Sequence, residues 1–351
     1  MRWRATAALA RASMPILTRL EPEFSHRLAL RGLAMVSPWW RAPRLAPTLR
    51  LRCFGLEFAH PLGLAAGFDK NGDYLDALGS LGFSHIELGT VTPRPQPGNP
   101  KPRLFRLRSV HGLVNRMGFN NKGVDHLVAQ LARSRYAGIR GVSIGKNFDT
   151  PIEKASDDYL ACMRKVYPHA DYIAVNVSSP NTARLRELQD RDALDRIVGT
   201  LQAAREELCR STGKRVPLLV KIAPDLDTDQ IAAIAGNLRA LQVDGVIATN
   251  TSTDLRAYAA QLPPNQLGGI SGEPLHAQAI SVIARLRDAL GEGFPIIGVG
   301  GISSANTALA TLQAGANLLQ IYTGFAYRGP ALIEEILAGL ALKQGQGGST
   351  V

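Results

Sequence analysis

The chain has 351 residues, 45% of them hydrophobic and 20% charged, which is enough to build a large buried core and excludes an intrinsically disordered class. The formal net charge of +11 leaves nucleic acid, an anionic membrane surface or anionic small molecules as partners. No zinc-finger spacing or RNA-binding motif supports nucleic acid, and the crowding of arginines towards the N-terminus favours a membrane surface. Cys53, Cys162 and Cys209 are few and widely spaced, so neither a disulfide framework nor a metal site is expected, and a reducing compartment is.

Residues 1–20 carry Arg2, Arg4, Arg11 and Arg19 and no acid. Arg11 interrupts the apolar stretch a secretory signal needs, while a mitochondrial presequence stays open. No segment approaches the roughly 20 apolar residues needed to span a bilayer. Two short amphipathic helices are predicted instead, over 5–20 with a bend near Pro15 and over 24–36, followed by Trp39 and Trp40. Apolar faces, flanking arginines and a tryptophan pair suit a helix pair that sits in one leaflet. The plainer reading is that the helices pack on the main domain.

From about residue 60 short apolar runs alternate with helical patterns. The runs are Pro61–Ala66, His85–Val91, Gly138–Ile144, Tyr172–Val177, Pro217–Ile222, Gly245–Thr249, Pro295–Val299 and Leu318–Tyr322. Helices are predicted over Ala193–Cys209, Thr228–Leu241 and Leu275–Leu290. Continuous apolar runs are the mark of parallel strands buried on both faces, and eight of them argue for an α/β fold of the closed (β/α)8 type. Residues 93–116 are too polar and proline-rich for a helix and read as an inserted loop with a hairpin.

In such barrels chemistry sits at the C-terminal ends of the strands. Those ends carry amides, hydroxyls and lysines, notably Lys70 and Lys221, with few carboxylates and no histidine. Paired carboxylates for glycoside hydrolysis and histidine clusters for a metal are missing. Amides and hydroxyls suit a heterocycle, and lysines suit an anion or the negative charge of a reduced ring. Gly298, Gly300 and Gly301, with Gly272, fall where barrels of this kind often cradle a phosphate. Ser179 lies in Asn176-Val-Ser-Ser-Pro-Asn181 without a neighbouring histidine or a Gly-x-Ser-x-Gly elbow, so a hydrolase nucleophile is disfavoured. A serine acting as a base without histidine needs a substrate proton acidified by a neighbouring electron sink.

Seven stretches then match one family in order. They are Gly63–Gly72, Gly89–Asn99, Asn115–Asn121, Asn176–Thr182, Val220–Asp225, Ala248–Thr251 and Ile297–Ile302. Over nearly its whole length the chain resembles the class 2, quinone-linked dihydroorotate dehydrogenases. The resemblance implies oxidation of (S)-dihydroorotate to orotate with FMN, electrons passing to a membrane quinone, in de novo pyrimidine biosynthesis. It implies an FMN site formed by Ala66, Gly67, Phe68, Asp69, Lys70, Thr90, Ser143, Asn176, Lys221, Thr249, Gly272, Gly301, Tyr322 and Thr323. Substrate would be held by Lys70, Asn115, Arg116, Met117, Gly118, Phe119, Asn176, Asn181, Asn250 and Thr251, and Ser179 would be the base. Lys221 would stabilise the reduced ring, and His26 and Arg106 would lie near the quinone head. Serine at position 179 and the N-terminal helices separate this branch from soluble relatives that use cysteine. Residues 1–42 are expected to form the membrane-associating segment with its quinone tunnel, and 43–345 the FMN-binding barrel. A monomer is expected, held peripherally on the cytoplasmic side of a bacterial inner membrane, or on the mitochondrial inner membrane if residues 1–20 are a presequence. Two departures stand out: Ser143 where many members have asparagine, and Thr182-Ala-Arg-Leu-Arg186 where the family commonly has Thr-Pro-Gly-Leu-Arg. The rival readings are a soluble flavoprotein using fumarate or NAD, and a non-enzymatic phosphate-binding barrel.

Overall fold

The computed structural model describes residues 14–39, 49–182 and 184–347. Among the described residues thirteen strands follow in chain order: β1 (Leu51–Cys53), β2 (Leu56–Phe58), β3 (Leu62–Leu64), β4 (His85–Val91), β5 (Leu104–Leu107), β6 (Gly112–Asn115), β7 (Ile139–Ile144), β8 (Tyr172–Asn176), β9 (Leu218–Ile222), β10 (Gly245–Ala248), β11 (Gly269–Gly272), β12 (Ile296–Val299) and β13 (Leu318–Ile321). Eight of them, β3, β4, β7, β8, β9, β10, β12 and β13, close into a parallel barrel. These are the eight apolar runs: His85–Val91 is matched in full, and the other seven are trimmed by one to three residues at their ends. Their side chains are almost entirely buried because helices cover the outside and side chains fill the inside. The antiparallel hairpin β1–β2 brings Cys53 and Phe58 against Tyr172, Leu219, Ile247 and Leu318, near the N-terminal ends of the barrel strands.

The expected hairpin in the insertion after β4 is β5–β6, paired Leu104↔Asn115 through Leu107↔Gly112. It acquires a third strand that local sequence did not announce. After β10 the chain returns as β11, and Gly269 pairs with Asn115. The resulting three-stranded sheet contributes Asn115, Ser271 and Gly272 to the barrel mouth.

Helix α1 spans Pro22–Val36. Pro22 stands at its first turn, and the Glu21 carboxylate accepts from the backbone N–H groups of Glu23 and Phe24, closing off donors a helix start leaves unpaired. The helix buries Ser25 and Leu30 and leaves Phe24, Leu28 and Met35 exposed. Glu23 fastens it to the insertion through a two-pronged pair with Arg103, at 2.7 and 3.2 Å. Burial opposes the charge on Glu23, but Arg103 and then Lys101 hold its carboxyl below the ordinary range. Residues 14–17 are also helical. The rest of the first predicted helix, and Trp40, lie outside the described residues. Among the described residues no helix is long and apolar enough to cross a membrane.

Candidate active site

A cavity of about 970 Å³ opens at the C-terminal ends of the barrel strands. Its floor rests on a chain of polar groups from the ends of β4, β7, β8 and β10. Ser143 Oγ and Thr90 Oγ1 are 2.8 Å apart, Asn176 Nδ2 donates to Thr90 Oγ1 at 2.8 Å, and Asn250 Nδ2 donates to Asn176 Oδ1 at 3.3 Å and to Ser178 Oγ at 3.0 Å. Each side chain is thereby fixed in rotamer before anything binds, which is how a site avoids ordering costs. Ser179 follows β8, is 6% exposed, and its Oγ accepts from the Asn181 N–H at 3.3 Å. No carboxylate or histidine hydrogen-bonds it among the described residues. The Asn181 side chain donates to Asn115 Oδ1 at 2.9 Å, joining the loop after β8 to the three-stranded sheet. Thr251 Oγ1 is buried without any hydrogen-bond partner, and its neighbour Asn250 is on the same wall. An unsatisfied buried hydroxyl lining a cavity is a donor or acceptor held ready for a ligand.

The loop carrying the unusual residues after Asn181 is tied down at its far end by Arg186. Its guanidinium donates to Asp225 Oδ2 at 2.8 Å, to the Thr251 carbonyl at 2.7 Å and to the Ser178 carbonyl at 3.2 Å. Residue 183 of that loop lies outside the described residues.

On the opposite wall the backbone comes close enough that side chains would intrude. At Gly272, φ is +94° and a Cβ would stand 2.3 Å from the His111 carbonyl oxygen; at Gly301, φ is +67° and a Cβ would stand 2.5 Å from His276 Cβ. Only glycine meets both conditions. The result is a bare backbone concavity beside Thr323, suited to an anionic group that approaches main-chain N–H donors. A planar polar ring with a phosphate arm therefore fits what the mouth offers: amide and hydroxyl donors on the floor, an ammonium from Lys221, and a glycine cradle at the rim.

Lys70 stands between two cavities. Its Nζ donates to the Gly67 carbonyl at 2.8 Å. Desolvation, and then the Arg103 cation, bring its pKa down to about 8. Lys70, Met117 and Tyr322 line both the mouth cavity and a second, larger one of about 1940 Å³. The second cavity runs under α1 and is walled mainly by apolar side chains, among them Leu17, Leu30, Leu33, Phe68 and Phe325. Its polar exceptions are few. His26 Nε2 is 2.8 Å from the Phe68 carbonyl, and burial followed by Lys70 drives its pKa down to about 4, so the ring is neutral. Arg106 bonds to Ser25 Oγ at 2.5 Å and to the Leu20 carbonyl.

The structure brings nearly all of the expected site residues to one cavity. Ala66, Gly67, Lys70, Thr90, Asn115, Met117, Gly118, Phe119, Asn176, Ser179, Asn181, Lys221, Thr249, Asn250, Thr251, Gly272, Gly301, Tyr322 and Thr323 all line it. Four others are placed differently. Phe68 packs edge-on to His26 and faces the apolar cavity. Asp69 turns back to accept from the N–H groups of Asn71, Asp73 and Tyr74, and its burial lifts its pKa to about 6. Ser143 is fully buried and reaches the cavity only through Thr90. The Arg116 guanidinium points to the Pro102 carbonyl. Residues not anticipated also line the cavity, among them Ser271, Val299 and Gln320. Gln320 was visible in principle as the one polar residue within the run Leu318–Ile321.

Comparison with known proteins agrees with this arrangement. The model of the dihydroorotate dehydrogenase family matches residues 48–343. A dihydroorotate dehydrogenase (quinone) of Nitrosospira multiformis is 52% identical over 336 residues, covering 95% of this chain and 96% of that one. The enzyme of the same name from Methylococcus capsulatus is 51% identical, covering 92% and 96%. The crystal structure of the Eimeria tenella enzyme in complex with ferulenol superposes with a TM-score of 0.86 at 36% identity, covering 93% of this chain and 92% of that one. With the family model spanning the barrel and such relatives spanning almost the entire chain, this protein belongs to the dihydroorotate dehydrogenase family, in its quinone-linked branch.

Proposed function

We propose that FMN lies across the barrel mouth, that dihydroorotate binds beside it against Ser179, and that the quinone enters through the apolar cavity under α1. As a quinone-linked dihydroorotate dehydrogenase the chain oxidises dihydroorotate to orotate with a quinone as acceptor, an oxidoreductase step of pyrimidine biosynthesis. The observation that carries the finer reading is the pair of cavities sharing Lys70, Met117 and Tyr322, one polar and one apolar.

A bound flavin supplies the acceptor for a hydride and afterwards the donor of electrons to the quinone. The protein's own part is positioning and proton handling. Asn115, Asn176, Asn181, Asn250 and Thr251 present amides and hydroxyls to a pyrimidine ring. Lys70, still mostly charged at neutral pH, balances the substrate carboxylate. Ser179 Oγ takes the C5 proton as hydride leaves C6. The buried position of Ser179 excludes bulk water from that transfer. Lys221 places positive charge where a reduced ring becomes negative. Neutral His26 and the Arg106 guanidinium supply polar partners for a quinone carbonyl. Residues 1–42 form the membrane-associating segment and 43–345 the barrel domain, and the protein acts as a monomer bound peripherally to the cytoplasmic face of a bacterial inner membrane.

The test is anaerobic. Dihydroorotate is expected to bleach the bound flavin and a quinone to restore its colour. Ser179→Ala is expected to retain flavin but bleach about 10² to 10⁴ times more slowly, the usual contribution of a positioned base. Bleaching at the unaltered rate would remove Ser179 from the mechanism.

A further inference from the structure

Inward-facing side chains fill a parallel barrel in layers, and branched aliphatic residues dominate them. One group here is polar. Glu87 of β4, Tyr172 of β8 and Gln320 of β13 are wholly inaccessible, and Lys221 of β9 is 5% exposed. Tyr172 Oη donates to Glu87 Oε2 at 3.0 Å, and Gln320 Nε2 donates to the same oxygen at 2.9 Å and to Tyr172 Oη at 3.1 Å. Space for the phenol comes from Gly141, where a Cβ would stand 2.1 Å from Tyr172 Cζ. Burial, and then the Glu87 charge, push the Tyr172 hydroxyl well above its ordinary range, so it is a proton donor to the carboxylate and not an anion beside it. The other carboxylate oxygen, Oε1, accepts no hydrogen bond and lies 3.7 Å from Lys221 Nζ. Among the described residues no other carboxylate comes within 4.0 Å of that ammonium. Lys221 lines the mouth cavity; Glu87 does not.

A carboxylate this thoroughly removed from water is costly unless it is paired. Three donors converge on Glu87, two on one oxygen and the ammonium near the other. The arrangement makes sense as a support for Lys221. Once a ring fills the mouth and expels water, an ammonium with no nearby anion has nothing to hold it towards that ring. We propose that Glu87 is a positioning residue for Lys221, a buried counter-ion that holds the ammonium in place and directed into the cavity. The inference rests on the reading that Lys221 faces the flavin. Its consequence is that a residue outside the cavity governs how readily the bound flavin accepts electrons.

The sign of one measurement decides this. A negative charge near the ring would by itself oppose reduction, so if Glu87 acted only through its own field, Glu87→Gln would raise the midpoint potential. If Glu87 maintains Lys221, the same variant lowers it. Potentials of the flavin-loaded protein are read at pH 7 against reference dyes. Glu87→Gln is expected to reduce the equilibrium constant for reduction at least tenfold, about 30 mV for a two-electron couple. Lys221→Met is expected to lower the potential too, and the double variant to fall no further than Lys221→Met alone. An unchanged or raised potential in Glu87→Gln overturns the proposal. An unmoved potential in Lys221→Met would instead overturn the placement of Lys221. Should Glu87→Gln not fold or not hold flavin, Glu87→Asp decides: it keeps the charge but retracts it by one methylene. A lowered potential in that variant supports the proposal, and an unchanged or raised one overturns it.

Discussion

Lys70 makes substrate affinity a function of pH in a range where dihydroorotate itself keeps its carboxylate charge. Its pKa of about 8 in the free protein follows from desolvation and from Arg103, offset by the Glu23 and Asp69 carboxylates. A lysine depressed in this way is charged below that pH and neutral above it. If the charged form binds the substrate carboxylate, the apparent dissociation constant is multiplied by one plus the ratio of neutral to charged lysine. That factor is about 1 at pH 7, about 2 at pH 8 and about 10 at pH 9, the last equivalent to roughly 1.4 kcal/mol. The assay is calorimetric binding of dihydroorotate to the Ser179→Ala protein, which consumes substrate far more slowly. Affinity is expected to be level below pH 7, to fall about fivefold between pH 8 and pH 9 and to approach a tenfold loss per unit above that. Lys70→Arg, which carries a charge at every pH used, is expected to flatten the curve. A flat curve in the Lys70 protein, or an undiminished slope in Lys70→Arg, would refute the reasoning.

Three further outcomes are expected. Gly272→Ala sets a methyl group against the His111 carbonyl at a φ of +94°; it should cost about 1–3 kcal/mol and reduce flavin content per chain, read by thermal melting and absorbance. Arg103→Ala leaves Glu23 half-buried without its main partner; a loss of about 3 kcal/mol is expected in denaturant unfolding, and Glu23→Gln added to it should cost little more. Replacing Phe24 and Met35, 48% and 74% exposed on α1, with aspartate should weaken sedimentation with anionic vesicles at least tenfold, since each apolar side chain buried in an interface is worth about 1.5–3 kcal/mol. Unaltered vesicle binding would assign membrane contact to another surface.

The barrel was legible because parallel strands buried on both faces have no polar face to hide them. His85–Val91 is recovered to the residue, and the other seven runs shift only at their ends. The site was legible because strand ends in this architecture converge, so residues such as Thr90, Asn176 and Lys221, far apart in the chain, share a wall. What stayed hidden depends on long-range geometry. Strand β11 is four residues with two glycines and gives no local strand signal; it exists because β6, more than 150 residues earlier, offers it an edge. Asp69 sits inside the motif that supplies the mouth, yet its carboxylate serves the loop behind it. Type alone could not separate those directions. Glu87 is a single acid within an apolar run, and only the register shows that it faces Lys221, Tyr172 and Gln320.

The way the barrel closes bears on how the protein comes into being. Residues 319–321 pair with residues 62–64, and Gly269 pairs with Asn115 at the mouth, so both seams join parts of the chain made far apart in time. Loops of that length close slowly and late. A growing chain that has not reached residue 318 has no eighth strand, no ring of strand ends and no rim. The mouth can therefore exist only after synthesis of nearly the full chain, and ligand uptake becomes a signal of completed folding. Truncated or stalled chains should emerge colourless however much helix they contain.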